Sequence, residues 1–111
     1  MTALNIDLVA SEEGPLLLRV TGDLEYPSIA TFRAALNRAM ALGRPIVINV
    51  QGLEFLDSTG LGALLEAKHA ADLHGTDMRV EGHQGAVARL LRRTGTLSVL
   101  TAPSNRTGGT A

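Results

Sequence analysis

Cysteine and tryptophan are absent from the 111 residues, and only three aromatic side chains are present, at Tyr26, Phe32 and Phe55. Without cysteine the chain forms no disulfide and performs no thiol chemistry. Three aromatic residues are too few for a platform on which nucleobases stack. The formal net charge of −1 gives no general attraction to nucleic acid or to an anionic membrane. We therefore predict no nucleic-acid ligand and no membrane partner.

Long hydrophobic runs are also missing from the sequence. No segment approaches the ~18 consecutive apolar residues that a membrane-spanning helix needs. The N-terminal stretch MTALNIDLVASEEG carries acidic residues and lacks the basic region with which a secretory signal begins. These features predict a cytoplasmic protein.

The composition is that of one globular domain, with 45% hydrophobic and 19% charged residues. Alternating apolar residues from Leu4 and a second run from Leu16 predict a hairpin, and the continuous run from Ile46 to Ile48 predicts a buried strand. Segments with the apolar spacing of helices separate the later predicted strands. TLSVLTA (96–102) is the predicted last strand. We predict an α/β fold with a mixed sheet in the order β-β-α-β-α-β-α-β, a domain over residues 1–102, and a disordered C-terminal tail over 103–111.

The stretch FLDSTGLGALLEA (55–67) holds the candidate functional residues. A strand-like run ends, small and polar residues follow, and a helical pattern begins, so Asp57, Ser58 and Thr59 are predicted near a helix N-terminus. Ligands of open α/β sheets commonly meet the protein at such junctions. Asp57 and Ser58 are both favoured N-cap types, which is the simplest explanation for them.

Enzymatic and ligand-binding motifs fit this stretch poorly. Leu56 stands where a nucleophile elbow needs glycine, and Leu65 stands where a dinucleotide fingerprint needs its third glycine. His69 and His74 are five residues apart, whereas a helical pair of metal ligands has i,i+4 spacing. Arg89, Arg92 and Arg93 are interpreted as the solvent face of a helix. We predict no catalytic residue, no metal and no cofactor.

Phosphorylation is the remaining chemistry that suits the site. A hydroxyl at a helix start is accessible to a kinase, and its phosphate would carry about −1.5 to −2 charges. The helix N-terminus would favour that charge, while neighbouring Asp57 would oppose it. The residues alone leave both capping and regulatory phosphorylation open.

The stretch GLEFLDSTGLGALLEAKHAADLHG (52–75) resembles the STAS domain, specifically that of bacterial anti-sigma factor antagonists, and the D-S-T-G-L-G core is its most specific part. RVTGDLEYPSIATFRAAL (19–36) and GAVARLLRRTGTLSVL (85–100) resemble the flanking parts of that domain in the same order. The resemblance implies a partner switch without enzymatic activity. The unphosphorylated protein would bind an anti-sigma factor that is also a serine kinase, the sigma factor would be released, and a serine phosphatase would reset the phosphorylated form.

Carried over by position, the resemblance makes Ser58 the phosphoacceptor and Thr59 a less favoured hydroxyl. It also implies a partner-binding set, which comprises Asp23, Glu25, Tyr26, Asp57, Ser58, Thr59, Gly60 and Gly62, and in which the two glycines let a partner backbone approach closely. Asp23 and Glu25 stand where the family usually has Glu and Asp, respectively. The alternative is a STAS scaffold module without a phospho-switch, in a stress-signalling assembly or a lipid-transport complex.

Overall fold

The structure, a computed structural model, describes residues 2–10 and 12–102. The predicted tail at 103–111 lies outside the described residues. Strands and helices alternate along most of the chain, which confirms the α/β fold. The elements are β1 (Asn5–Val9), β2 (Leu16–Leu24), a 3-10 turn (Tyr26–Ser28), α1 (Ile29–Met40), β3 (Ile46–Asn49), β4 (Leu53–Leu56), α2 (Ser58–Leu73), β5 (Met78–Glu81), α3 (Gly85–Arg93) and α4 (Leu97–Thr101).

Strand β2 organises the sheet. It pairs with β1 as the predicted antiparallel hairpin and with β3 and β4 in parallel, in the order β1-β2-β3-β5 with β4 also on β2. Leu16 of β2 is in register with Ile46 of β3, whereas Leu24 is in register with Leu56 of β4. The first part of β2 thus pairs with β3 and its last part pairs with β4. The carboxyl ends of β2 and β4 therefore lie at the same edge of the sheet.

The core lies between one face of the sheet and the helices. Leu16, Leu18 and Val20 of β2 are buried while Arg19 is exposed, the alternation of a strand with one covered face. All residues from Ile46 to Ile48 are buried, which confirms the prediction from their continuous apolar run. The largest fully buried helical side chains are Phe32, Leu64, Leu91 and Leu100.

Two local predictions were wrong. The predicted order has one strand between the first two helices, around Ile46–Ile48, whereas the structure has two, β3 and β4. They are separated by a turn in which the Leu53 N–H donates to the Val50 carbonyl over 3.0 Å. The predicted last strand, TLSVLTA, is helix α4. Leu97 and Leu100 are three residues apart and face the core together, whereas Val99 is 49% exposed, so the spacing follows the helical period. An apolar run of this length fits either period.

Lys68 contributes to the placement of α4. Its side chain is 5% exposed, and its ammonium group donates to the carbonyl of Met78 over 2.5 Å and to that of Ala102 over 2.7 Å. These bonds join α2, the start of β5 and the end of α4. Buried polar groups require such partners, because an unpaired one costs about 1–3 kcal/mol.

Within residues 2–10 and 12–102, none of the helices combines the length and the apolar character that crossing a membrane requires.

Candidate functional site

The site forms where β2 and β4 end side by side. Because Leu24 and Leu56 are in parallel register, the residues that follow each strand lie close together. The N–H of Tyr26 donates to Oδ2 of Asp57 over 3.2 Å, and the N–H of Asp57 donates to the Leu24 carbonyl over 3.3 Å. The structure therefore joins two predicted site segments that are about thirty residues apart in the chain.

Asp57 is the N-cap of α2. Its backbone is extended, and its Oδ1 accepts the N–H of Gly60 over 2.7 Å and the hydroxyl of Thr59 over 2.6 Å. With Tyr26 on Oδ2, both carboxylate oxygens are used. The capping role that the sequence left open between Asp57 and Ser58 thus belongs to Asp57, and such a cap is worth about 1 kcal/mol.

The same contacts determine the pKa of Asp57. Partial burial acts to raise the pKa of this carboxyl, but hydrogen bonds from the Thr59 hydroxyl and from the N–H groups of Gly60, Tyr26 and Thr59 stabilise the anion and outweigh burial. The pKa of Asp57 is therefore lowered from its ordinary value of 3.8. The group is a fixed negative charge at neutral pH.

Ser58 and Thr59 differ in what their hydroxyls do. Both side chains are exposed, and Ser58 is the first residue of α2. The Thr59 hydroxyl donates to Asp57, as stated above, whereas within the described part of the chain no side-chain hydrogen bond involves Ser58. Of the two hydroxyls, that of Thr59 is engaged by Asp57 and that of Ser58 is not.

The two glycines of this helix start have different surroundings. A Cβ at Gly60 would lie 2.3 Å from the Leu24 carbonyl oxygen and 2.8 Å from Cδ1 of Leu56, so Gly60 permits α2 to approach β2. Gly62 is exposed, and a Cβ there would meet nothing within 4 Å. The predicted role of both glycines, room for a partner backbone, is compatible with the surroundings of Gly62. Gly60 serves the internal packing of the chain instead.

The turn after β2 carries the remaining predicted site residues. Tyr26 is 76% exposed, and Glu25 is half-buried. Asp23 is only 7% exposed, and its Oδ2 accepts the N–H of Thr2 over 2.9 Å. Asp23 therefore lies behind the surface that Tyr26 and Glu25 present, where it holds the N-terminal segment.

Ser28 is a site residue that the sequence reasoning missed. Its hydroxyl oxygen lies 3.0 Å from the carbonyl oxygens of Asp23 and Glu25, to which it donates, and it accepts the Glu25 N–H over 3.1 Å. These bonds fix the 3-10 turn that presents Tyr26. The sequence offered only a general signal, because serine is common in turns.

The site carries the Asp57 carboxylate, with its lowered pKa, beside the exposed side chain of Ser58. Oδ1 of Asp57 caps α2, and Oδ2 accepts the N–H of Tyr26. Among the described residues, no cluster of three His, Cys, Asp or Glu side chains forms a metal site. His74 bonds the Ala70 carbonyl through Nδ1 over 2.8 Å, and His69 is exposed. The arrangement suits modification and docking.

The sequence pattern of the STAS domain family matches residues 7–108. An anti-sigma F factor antagonist from Paenibacillus polymyxa is 28% identical over 89 residues, which are 78% of this chain and 76% of that protein. The crystal structure of an anti-sigma factor antagonist from Mycobacterium paratuberculosis aligns with a TM-score of 0.77 at 21% identity, over 89% of this chain and 83% of the other. The Bacillus cell fate determinant SpoIIAA in its phosphorylated form aligns with a TM-score of 0.65 at 20% identity, over 90% and 89%.

The fold is also found outside antagonists. A sulfate transporter family protein from Wolinella succinogenes aligns with a TM-score of 0.64 at 18% identity, over 76% of this chain and 69% of that one. At such identities the structural likeness establishes the fold alone, and function has to be argued from the site.

Proposed function

The chain belongs to the STAS domain family, and on that premise we propose that it is an anti-sigma factor antagonist switched by phosphorylation of Ser58. The unphosphorylated protein binds an anti-sigma factor in the cytoplasm and thereby releases a sigma factor. The anti-sigma factor is also a serine kinase, and its action on Ser58 ends the complex. A serine phosphatase restores the binding form. The switch occupies the domain over residues 1–102.

The observation that carries this proposal is the state of Ser58. Its side chain is exposed on the first turn of α2, while the adjacent hydroxyl of Thr59 is engaged with Asp57. A kinase needs an accessible hydroxyl, so the arrangement favours Ser58 over Thr59 as acceptor. In the transfer, Ser58 Oγ bonds to the γ-phosphorus of ATP, the bond from that phosphorus to the β,γ-bridging oxygen breaks, the hydroxyl proton leaves, and ADP departs.

Electrostatics explain why the modification would end binding. Asp57 is already an anion with a lowered pKa, and the first-turn N–H groups of Thr59 and Gly60 already bond to it. A phosphate on Ser58 would add about two negative charges beside Asp57. The N–H groups of Thr59 and Gly60 would not be free to donate hydrogen bonds to that phosphate. A partner that buries this helix end would have to desolvate an adjacent pair of anions, which is strongly unfavourable.

The proposed contact surface comprises the exposed groups around Ser58. Tyr26 is the natural anchor, because exposed tyrosines are enriched among residues that dominate interface energetics. Glu25, Thr59 and the open backbone at Gly62 complete it. Asp57, Asp23 and Gly60 act through the chain itself, by capping α2 and by positioning the turn and the helix.

The direct test is the intact mass of the protein isolated from its own cells, with phosphopeptide mapping. We expect one added phosphate, on Ser58, in a condition-dependent fraction of molecules. Thr59→Ala should retain that phosphate, and Ser58→Ala should lose it. Absence of phosphate under several growth conditions, with stable incorporation of the protein in a complex, would favour a scaffold module over the switch.

Binding provides the second test. The Ser58→Ala variant is used as bait to recover the binding partner from cells. The partner is purified, and its affinities for Ser58→Ala and for Ser58→Asp are measured. We expect Ser58→Asp to bind at least tenfold more weakly, the loss that corresponds to about 1.4 kcal/mol. Equal affinities would contradict a charge-based switch.

A further inference from the structure

A groove runs between β4 and α3, on residues that the proposed switch does not use. Its cavity volume is about 280 Å³. Phe55 is 48% exposed at this groove, although it is one of the largest apolar side chains of the protein. Its floor is lined by the apolar residues Phe55, Leu56, Ala86, Val87 and Leu90, and its rim by the exposed residues Arg89 and Arg93.

The two charged residues that line the groove, Arg89 and Arg93, are both basic. Helix α3 carries three of the ten basic residues of the chain and no acidic residue. Arg89 and Arg93 are one helical turn apart and both line the groove, whereas Arg92 is exposed on the same helix but does not line it. An occupant that complements the rim is therefore anionic, and one that complements the floor carries an apolar side chain.

The groove adjoins the proposed switch. Phe55 precedes Ser58 by three residues, a chain length that spans at most about 11 Å. A protein partner of ordinary size covers about 800 Å² on each side of an interface, a patch about 30 Å across. The groove therefore lies within reach of a partner that buries Ser58 and Tyr26. A volume of about 280 Å³ is sufficient for one large apolar side chain.

We propose that this groove is a second docking element for the protein that binds at Ser58, and that it receives an acidic segment carrying one large apolar side chain. The proposal rests on the proposed function, because it assigns the groove to the same partner. Phe55 and the apolar floor supply the buried contact, and Arg89 and Arg93 select carboxylates on either side of the inserted residue. Arginine and aromatic side chains together are the usual composition of such an element.

The test compares three single charge reversals on one helix. Arg89→Glu, Arg93→Glu and Arg92→Glu change the net charge equally, and all three residues are exposed, so each variant should fold. We measure the affinity of each, in the otherwise wild-type unphosphorylated protein, for the purified partner recovered with Ser58→Ala. We expect a loss of about tenfold or more for Arg89→Glu and Arg93→Glu, and of less than about threefold for Arg92→Glu. Phe55→Ala should also lose about tenfold, with little change in salt dependence.

The possible failures are distinguishable. Equal losses for all three arginine variants would indicate general electrostatic steering and overturn the groove proposal. Unchanged affinities, with Ser58→Asp still weak, would overturn it while leaving the switch intact. Tight binding by Ser58→Asp would overturn the switch itself. Sedimentation with phosphatidylglycerol vesicles that is lost in Arg89→Glu and Arg93→Glu but kept in Arg92→Glu would assign the groove to a lipid surface and contradict the proposal.

Discussion

Alanine at the two glycines of the α2 start should change stability in opposite directions. Gly60 lies against β2, and a Cβ there would lie 2.3 Å from the carbonyl oxygen of Leu24. Ordinary contact needs about 3.5 Å, so the helix start would have to move by roughly 1 Å. Gly62 has open space around it and sits on the same helix, so it provides a matched control.

The expected magnitudes follow from these surroundings. Overpacking of this size costs about 1–3 kcal/mol, which is the expected destabilisation by Gly60→Ala. At Gly62 alanine relieves the entropic cost of glycine inside a helix and should stabilise the protein by about 0.5–1 kcal/mol. With a midpoint shift of roughly 4 °C per kcal/mol for a domain of this size, Gly60→Ala should melt about 4–12 °C lower and Gly62→Ala about 2–4 °C higher.

Thermal and urea denaturation followed by circular dichroism measure both variants under identical conditions. The movement forced by Gly60→Ala should also disturb the bond from the Tyr26 N–H to Asp57, visible as a large shift of the Tyr26 amide resonance. Gly62→Ala should leave that resonance in place. A Gly60→Ala protein as stable as the wild type would refute the reasoning, because it would mean that α2 does not need its close approach to β2.

Four further outcomes are expected. Asp57→Ala should cost about 1 kcal/mol at neutral pH. Because the folded pKa of Asp57 is lowered, its stabilisation is present above the ordinary value and fades as pH falls through the folded pKa, so denaturation curves of Asp57→Ala and wild type should converge on acidification. Lys68→Met would orphan the carbonyls of Met78 and Ala102 and should cost about 1–3 kcal/mol, with faster amide exchange in α4. Ser58→Ala and Ser58→Asp should unfold within about 0.5 kcal/mol of wild type, since the side chain is exposed; a larger loss would indicate a structural role. Truncation after Ala102 should shift the midpoint by only a few degrees, because the described core ends at Leu100; a drop of about ten degrees would show that residues 103–111 contribute to the fold.

Much of the site was predictable, because the sequence signals that form it lie within a few residues of one another. Small polar residues between an apolar run and a helical pattern locate a helix N-terminus, and Asp57, Ser58 and Thr59 are there. The D-S-T-G-L-G resemblance indicated the family that the sequence pattern then established. The periods of α1, α2 and α3 were likewise local, since one face of each helix is apolar.

The different roles of neighbouring residues were not predictable from local sequence. Asp57 and Ser58 are equally good caps by type, and only the bonds from Gly60, Thr59 and Tyr26 assign the cap to Asp57 and leave Ser58 available. The burial of Asp23 depends on Thr2, about twenty residues away in the chain. Such contacts join segments that no short window contains.

The sequence by itself determined the fold class, the helix periods and the place of the helix start, because burial of one apolar face per element and capping chemistry act within a few residues. Tertiary structure alone decided that Leu97–Thr101 form a helix and that Phe55, Arg89 and Arg93 line one groove. The run at α4 fits both periods, and its conformation is decided by packing of Leu97 and Leu100 against the core and by the hydrogen bond that Lys68 donates to the Ala102 carbonyl. The groove exists because parallel pairing places β4 beside β2 and α3 then packs on β4, a relation set by long-range contacts.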